Sequence, residues 1–226
     1  MVGTMTDLKQ FSRRYDLDLI PASHDQMHVG MLVWDPLLGK PRFDHPGMPD
    51  SIFAAFRDAD YLDDAGMMGM IEEARALPRT GAHLPDAEVE VEREHTGVLE
   101  MPTIGKIEGS FDLRKVRKLK FSELEVRIMS PLMRVHIDDH LEELKKDRWE
   151  DYDGRIRRVF IVTELYYGSL TMLIEAQYGA DFEAALEQVG VPVASTNRGA
   201  RLSQYNFSDN NCPFAMRIER VRGFTG

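Results

Sequence analysis

Residues 158 to 175, RVFIVTELYYGSLTMLIE, constrain this chain more than any other stretch. They contain no proline and are dense in β-branched and aromatic side chains, which favour a pleated, buried strand over a helix. A run this apolar would be hidden on both faces of a sheet, yet it carries Thr163, Glu164 and the pair Gly168-Ser169. Glycine inside a strand pattern marks a bend or a close backbone approach. The segment therefore reads as two strands, or as one long strand bent at Gly168.

Weaker signals surround it. DLDLIP alternates Leu17 and Leu19 with Asp16 and Asp18 before Pro21, and HVGMLVWDP (28–36) is a second strand candidate. AEVEVE sets Val89 and Val91 between glutamates, the pattern of a half-exposed strand. LKFSELEVRIM is either strand or helix. TDLKQFSRR (6–14) reads as a short helix capped by Thr6, and PDSIFAAF as a helix start capped by Asp50 or Ser51. AGMMGMIEEARALP is helical in spite of its glycines, with Met67, Met68 and Met70 read as core filling. VHIDDHLEELKKD (135–147) is amphipathic, with acids early and lysines late as the helix dipole prefers. ADFEAALEQVG is a helix stopped by Gly190, and ARLSQYNF, SDNNCP and FAMRIERV read as a closing hairpin. Strands and helices in this order predict an α+β fold with a largely antiparallel sheet, one domain over 1–226.

Composition narrows the function. Residues 1–110 hold 10 basic against 20 acidic side chains and residues 111–226 hold 18 of each, so nucleic acid is excluded as a partner for want of a basic face. The single cysteine, Cys212, suits a reducing compartment, and neither a secretory leader nor a transmembrane helix is legible. The expected location is the cytoplasm. Strands of a β-barrel, which need only about ten residues each, would leave a much fainter trace.

Candidate sites are few. His136 and His140 stand i, i+4 on the amphipathic helix with Asp139 between them, a spacing that can place two imidazoles on one metal. A soluble metal-dependent enzyme or metal-binding domain built on these residues is one reading; an acidic first half that binds a basic partner is another. No catalytic motif is present, and no cofactor is expected. Two basic clusters remain: Arg114, Lys115, Arg117, Lys118 and Lys120, then Arg155, Arg157 and Arg158. Each is either a solvated face paired with nearby acids or a surface for anionic lipid.

Several of these pieces, taken in order, resemble bacterial and fungal gasdermins. The likeness rests on YDLDLIP after an opening helix, VGMLVWDPLLGK before the IFAAF helix, RRVFIVTELYYGSLTMLIEA, and the closing FAMRIERV. It is thinnest over residues 60–130. The resemblance implies a twisted, largely antiparallel central sheet with surrounding helices, in a protein that is cytosolic when inactive. On activation such a protein assembles as a homo-oligomer on membrane lipids and rebuilds two segments into β-hairpins. The pore that results kills the cell, an outcome associated with antiviral defence. It implies no enzymatic activity, and an activating partner that is a caspase-like protease or a sibling gasdermin-like protein. Under this reading Phe160, Val162, Leu165, Tyr167, Leu170 and Leu173 are the candidates for insertion, and the basic clusters are the candidates for lipid contact. No C-terminal inhibitory domain is legible after Val221-Arg222, and the lipid-modifiable cysteine of bacterial relatives has no counterpart near the start.

Overall fold

In the computed structural model the 158–175 segment is one unbroken strand of 16 residues, Phe160–Glu175. The structure describes residues 4–5, 14–20, 26–34, 43, 49–83, 87–90, 116–148, 159–189, 195–198, 201–207 and 213–224. Over these the strands are β1 (Thr4–Met5), β2 (Asp18–Leu19), β3 (Leu32–Val33), β4 (Arg79–Gly81), β5 (Ala87–Glu90), β6 (Val116–Ile128), β7 (Phe160–Glu175), β8 (Ser195–Arg198), β9 (Leu202–Phe207) and β10 (Ala215–Arg220). The helices are α1 (Ile52–Asp58), α2 (Asp64–Ala76), α3 (Pro131–Asp147), α4 (Gly179–Val189) and the short α5 (Val221–Phe224). This is the α+β class that the sequence predicts. Residues 6–13 of the helix expected over 6–14, and residues 208–212 around Cys212, lie outside the described residues.

Hydrogen bonding runs in the order β1-β5-β6-β7-β10-β2, with β3 and β9 also on β7, β4 on β6 and β8 on β9. The β1–β5 pair is parallel; β3–β7, β5–β6, β7–β9 and β8–β9 are antiparallel. β7 thus has four partners, and its burial follows from them. Over its first half both faces are covered: Ile161, Thr163, Leu165 and Tyr167 on one, Val162 and Tyr166 on the other, none more than 4% exposed. Such two-sided burial is why this half reads as a continuous apolar run. After Gly168 alternation returns, with Met172 and Ile174 buried while Thr171, Leu173 and Glu175 are half-buried.

Gly168 does not bend the strand out of register; it admits a neighbour. A β-carbon there would stand 2.7 Å from a Leu124 methyl and 2.8 Å from the Ser122 carbonyl oxygen of β6. That crowding comes from a bulge. Glu123 has φ 54°, a left-handed residue inside an extended strand, with Phe121 buried before it and Leu124 and Val126 buried after it. The adjoining Ser169 hydroxyl donates to the Glu123 carboxylate at 2.7 Å. Gly168 and Ser169, the two residues that interrupt the apolar run, are both accounted for by the bulge opposite them.

One expectation is corrected. β9 and β10 exist as strands but do not pair; β9 turns back on β8, with Arg198 opposite Ser203, and β9 and β10 dock separately on β7. β7 is long enough to offer each a separate site, so a local turn signal did not decide the partner.

The described contacts group into two compact units, each made of three chain stretches. One comprises residues 1–25, 81–125 and 166–215; the other comprises 26–80, 126–165 and 216–226. Leu17, Ile20, Phe121, Met172, Ile174, Tyr205 and Phe214 form the buried heart of the first, where Phe121 and Phe214 stack at 4.6 Å. The second buries Leu32, Val33, Ile52, Phe53, Phe56, Met133, Ile137, Leu141 and Ile161. In it Gly30, at φ 91°, lets the backbone pass against the Phe53 ring.

Candidate functional site

The charge inside β7 is answered by β10. Glu164 accepts from the Arg217 guanidinium at 2.8 Å, and Thr163 donates to the Arg217 carbonyl at 3.3 Å. Arg220 lies over the Phe160 ring at 5.2 Å. The Arg217–Glu164 pair is mostly sheltered, at 33% and 16% exposed, so loss of either partner would leave a partly buried charge unanswered. The six insertion candidates all belong to β7, but a strand alternates faces: Phe160, Val162 and Leu170 hold even positions, Leu165, Tyr167 and Leu173 odd ones. They do not form one lipid-facing row in this register.

Of the basic clusters, Arg114, Lys115, Arg155, Arg157 and Arg158 lie outside the described residues. Arg117 is engaged, with its guanidinium 2.6 Å from Glu175 on β7. Lys118 and Lys120 stand in register opposite Glu90 and Glu88 of β5. Glu88 and Glu90 thus hold register positions facing the two lysines in one antiparallel pair, where opposite charges favour the register. The complementary alternation, Glu-Val-Glu against Lys-Leu-Lys, is the sequence signal for it.

A second place draws together residues from three helices. Ser51 caps α1 by accepting from the Ala54 amide at 3.2 Å, and Asp63 caps α2 through the Gly66 amide at 2.7 Å. Ser130 caps α3 through the Met133 amide at 3.1 Å, with Pro131 at the first helical position. Met133, Ile137, Leu141 and Leu144, spaced at helical intervals, bury one face of α3. Arg148 donates to Asp60 at 2.9 Å and fixes the far end of α3 to the α1–α2 turn.

Between these helices lies a cavity of about 110 Å³ lined by Phe53, Phe56, Leu62, Met70, His136, Ile137 and His140. The i, i+4 histidines therefore do share a site. Asp139 is exposed and is not among the lining residues. The His140 ring meets Phe56 edge-on at 5.1 Å and stacks on Tyr61 at 6.0 Å, while its Nδ1 lies 3.4 Å from Glu143 Oε2. Burial, then the carboxylates of Asp147 and Glu143, raise the Tyr61 phenol above its ordinary range. The methionine run is not core filling as expected: Met68 is 45% exposed, and Met67 and Met70 are half-buried, with Met70 reaching the cavity. Among the described residues no group of three or more His, Cys, Asp and Glu side chains is placed to hold a metal ion.

No described helix is long and apolar enough to cross a membrane. Comparison with family models, curated proteins and solved structures finds no match to this chain.

Proposed function

We propose that the chain is a pore-forming protein that assembles many copies on a membrane and contributes strands to a barrel, as its resemblance to gasdermins implies. The observation that supports it best is strand length. β6 has 13 residues and β7 has 16, whereas crossing a bilayer takes about 9–11 residues in a tilted strand. Closing such strands into a ring satisfies every backbone group in lipid, which open sheets cannot do. The second half of β7, with Met172 and Ile174 alternating against Thr171, Leu173 and Glu175, has the two-sided pattern that a barrel stave needs. β9 pairs with it residue for residue from Leu170↔Phe207 to Glu175↔Leu202, so release of β7 requires release of β9.

The test is dye release from liposomes containing anionic lipid, with the chain alone, with a caspase-like protease and with a sibling gasdermin-like chain. Leakage accompanied by large oligomers is the expected result. A persistent monomer that releases no dye under any trigger overturns the proposal. A cross-strand disulfide adds a mechanistic arm: Leu173→Cys with Gln204→Cys, made in a Cys212→Ser background, locks β7 to β9. Leakage is then lost on oxidation and regained on reduction. Leakage that persists with the disulfide closed removes this part of β7 from the barrel.

A further inference from the structure

The face built by α1, α2 and α3 is apolar at its cavity and acidic around it, and all of it lies within one compact unit. α2 is the odd element there. Of its 13 residues only Ala74 is buried, although a helix owes most of its stability to the apolar face it packs away. Met67, Met70 and Ile71, at helical spacing with Ala74, are only half-buried. On α3, Leu132 and Val135 are 61% and 53% exposed, and Leu132 stands one turn before His136 at the cavity. We infer that this face is a docking site for a basic amphipathic helix of a partner protein, which seats one aliphatic side chain in the cavity. The inference does not rest on pore formation.

Shape, size and charge select this occupant. The cavity has a buried floor of Phe53, Phe56 and Ile137, whereas Leu62, Met70 and His140 are half-buried and His136 is exposed, so its rim is open to solvent. Its wall is apolar, and about 110 Å³ is less than the ~150 Å³ of a cavity that accepts benzene, so a leucine side chain fits where an aromatic ring does not. Methionine at the rim adapts to the shape laid upon it. Charge gives the partner its sign. Residues 52–76 and 131–148 hold 11 Asp and Glu against 6 Lys and Arg. Arg57, Arg134, Lys145 and Arg148 are each already engaged by a carboxylate. Glu73, three residues from Met70, and Asp139, three from His136, are exposed and carry no ion pair among the described residues. That spacing makes each acid a surface neighbour of a cavity residue. An apolar hole with free acids beside it is complementary to a helix whose lysines or arginines flank one aliphatic anchor.

The experiment is fluorescence anisotropy of the full chain with a labelled synthetic helix of alanine and lysine that carries one central leucine. Saturable one-to-one binding is expected. The same helix with glutamate for lysine should not bind, and alanine in place of the leucine should weaken binding about thirtyfold, as truncation of a hot spot does. Tryptophan at that position should bind less well than leucine. Glu73→Lys, an exposed change, should weaken binding several-fold, while Glu187→Lys, exposed on α4, should not. Met70→Trp fills the rim without altering charge; on that variant the leucine and alanine helices should bind alike. The inference is overturned if the lysine helix does not bind, if the alanine helix binds the parent as well as the leucine helix does, or if Glu187→Lys weakens binding as much as Glu73→Lys. A dimer of the chain alone that Glu73→Lys breaks would also overturn it, by giving the face to a second copy.

Discussion

Replacing Gly168 by alanine puts one methyl group against the β6 bulge, and its cost can be worked from the geometry. The new carbon would stand 2.8 Å from the Ser122 carbonyl oxygen, so a backbone atom must retreat about 0.6 Å to reach an ordinary 3.4 Å contact. The Leu124 methyl at 2.7 Å is the end of a flexible side chain and can move; the carbonyl belongs to the bulge and cannot move alone. Overpacking of this kind costs about 1–3 kcal/mol, and the unfolded-state gain from removing a glycine offsets about 0.4–1 kcal/mol. The net loss is about 1–2 kcal/mol. In urea unfolding the midpoint should fall by about 0.5 M with the slope unchanged. Gly69 supplies the internal comparison: it is exposed within α2 with nothing within 4 Å of a β-carbon, so Gly69→Ala should raise stability by about 1 kcal/mol. A Gly168→Ala protein as stable as the parent would mean that β6 and β7 do not approach at this point.

Three further outcomes are expected. Ser130→Ala removes the α3 cap and should cost about 1 kcal/mol by urea unfolding. Lys118→Glu sets like charges opposite each other across β5–β6, and adding Glu90→Lys should restore the loss, with a coupling of about 0.2–1 kcal/mol in the double-mutant cycle; vesicle binding should not follow it. Asp18 is raised above the ordinary carboxylate range by burial and then by Asp16. As pH rises past about 4 the unfolded chain loses that proton first, so stability falls until the folded carboxyl has ionised too. Asp18→Asn should remove this part of the decline, measured as unfolding midpoints from pH 3.5 to 7.

The elements fixed by local pattern were legible. α3 declares itself by apolar spacing and terminal charges, α1 by Ser51, and β7 by a run of β-branched and aromatic residues that no helix would favour. What was not legible depends on distant partners. Glu123 adopts a left-handed backbone with no glycine or proline to announce it. That β9 pairs with β8 and β7 and not with β10 is a choice among partners that the local turn residues do not encode. The histidine pair was visible from spacing on one helix, but Met70 and the aromatic walls come from two others, and only tertiary packing brings them together. Lys118 and Lys120 were open to a lipid reading because their acidic counterparts lie some thirty residues away.

The chain passes between its two compact units five times, and four of those passages fall within β4, β6, β7 and β10. No single cut of the backbone can then release either unit entire, because each is assembled from three separate stretches of the chain.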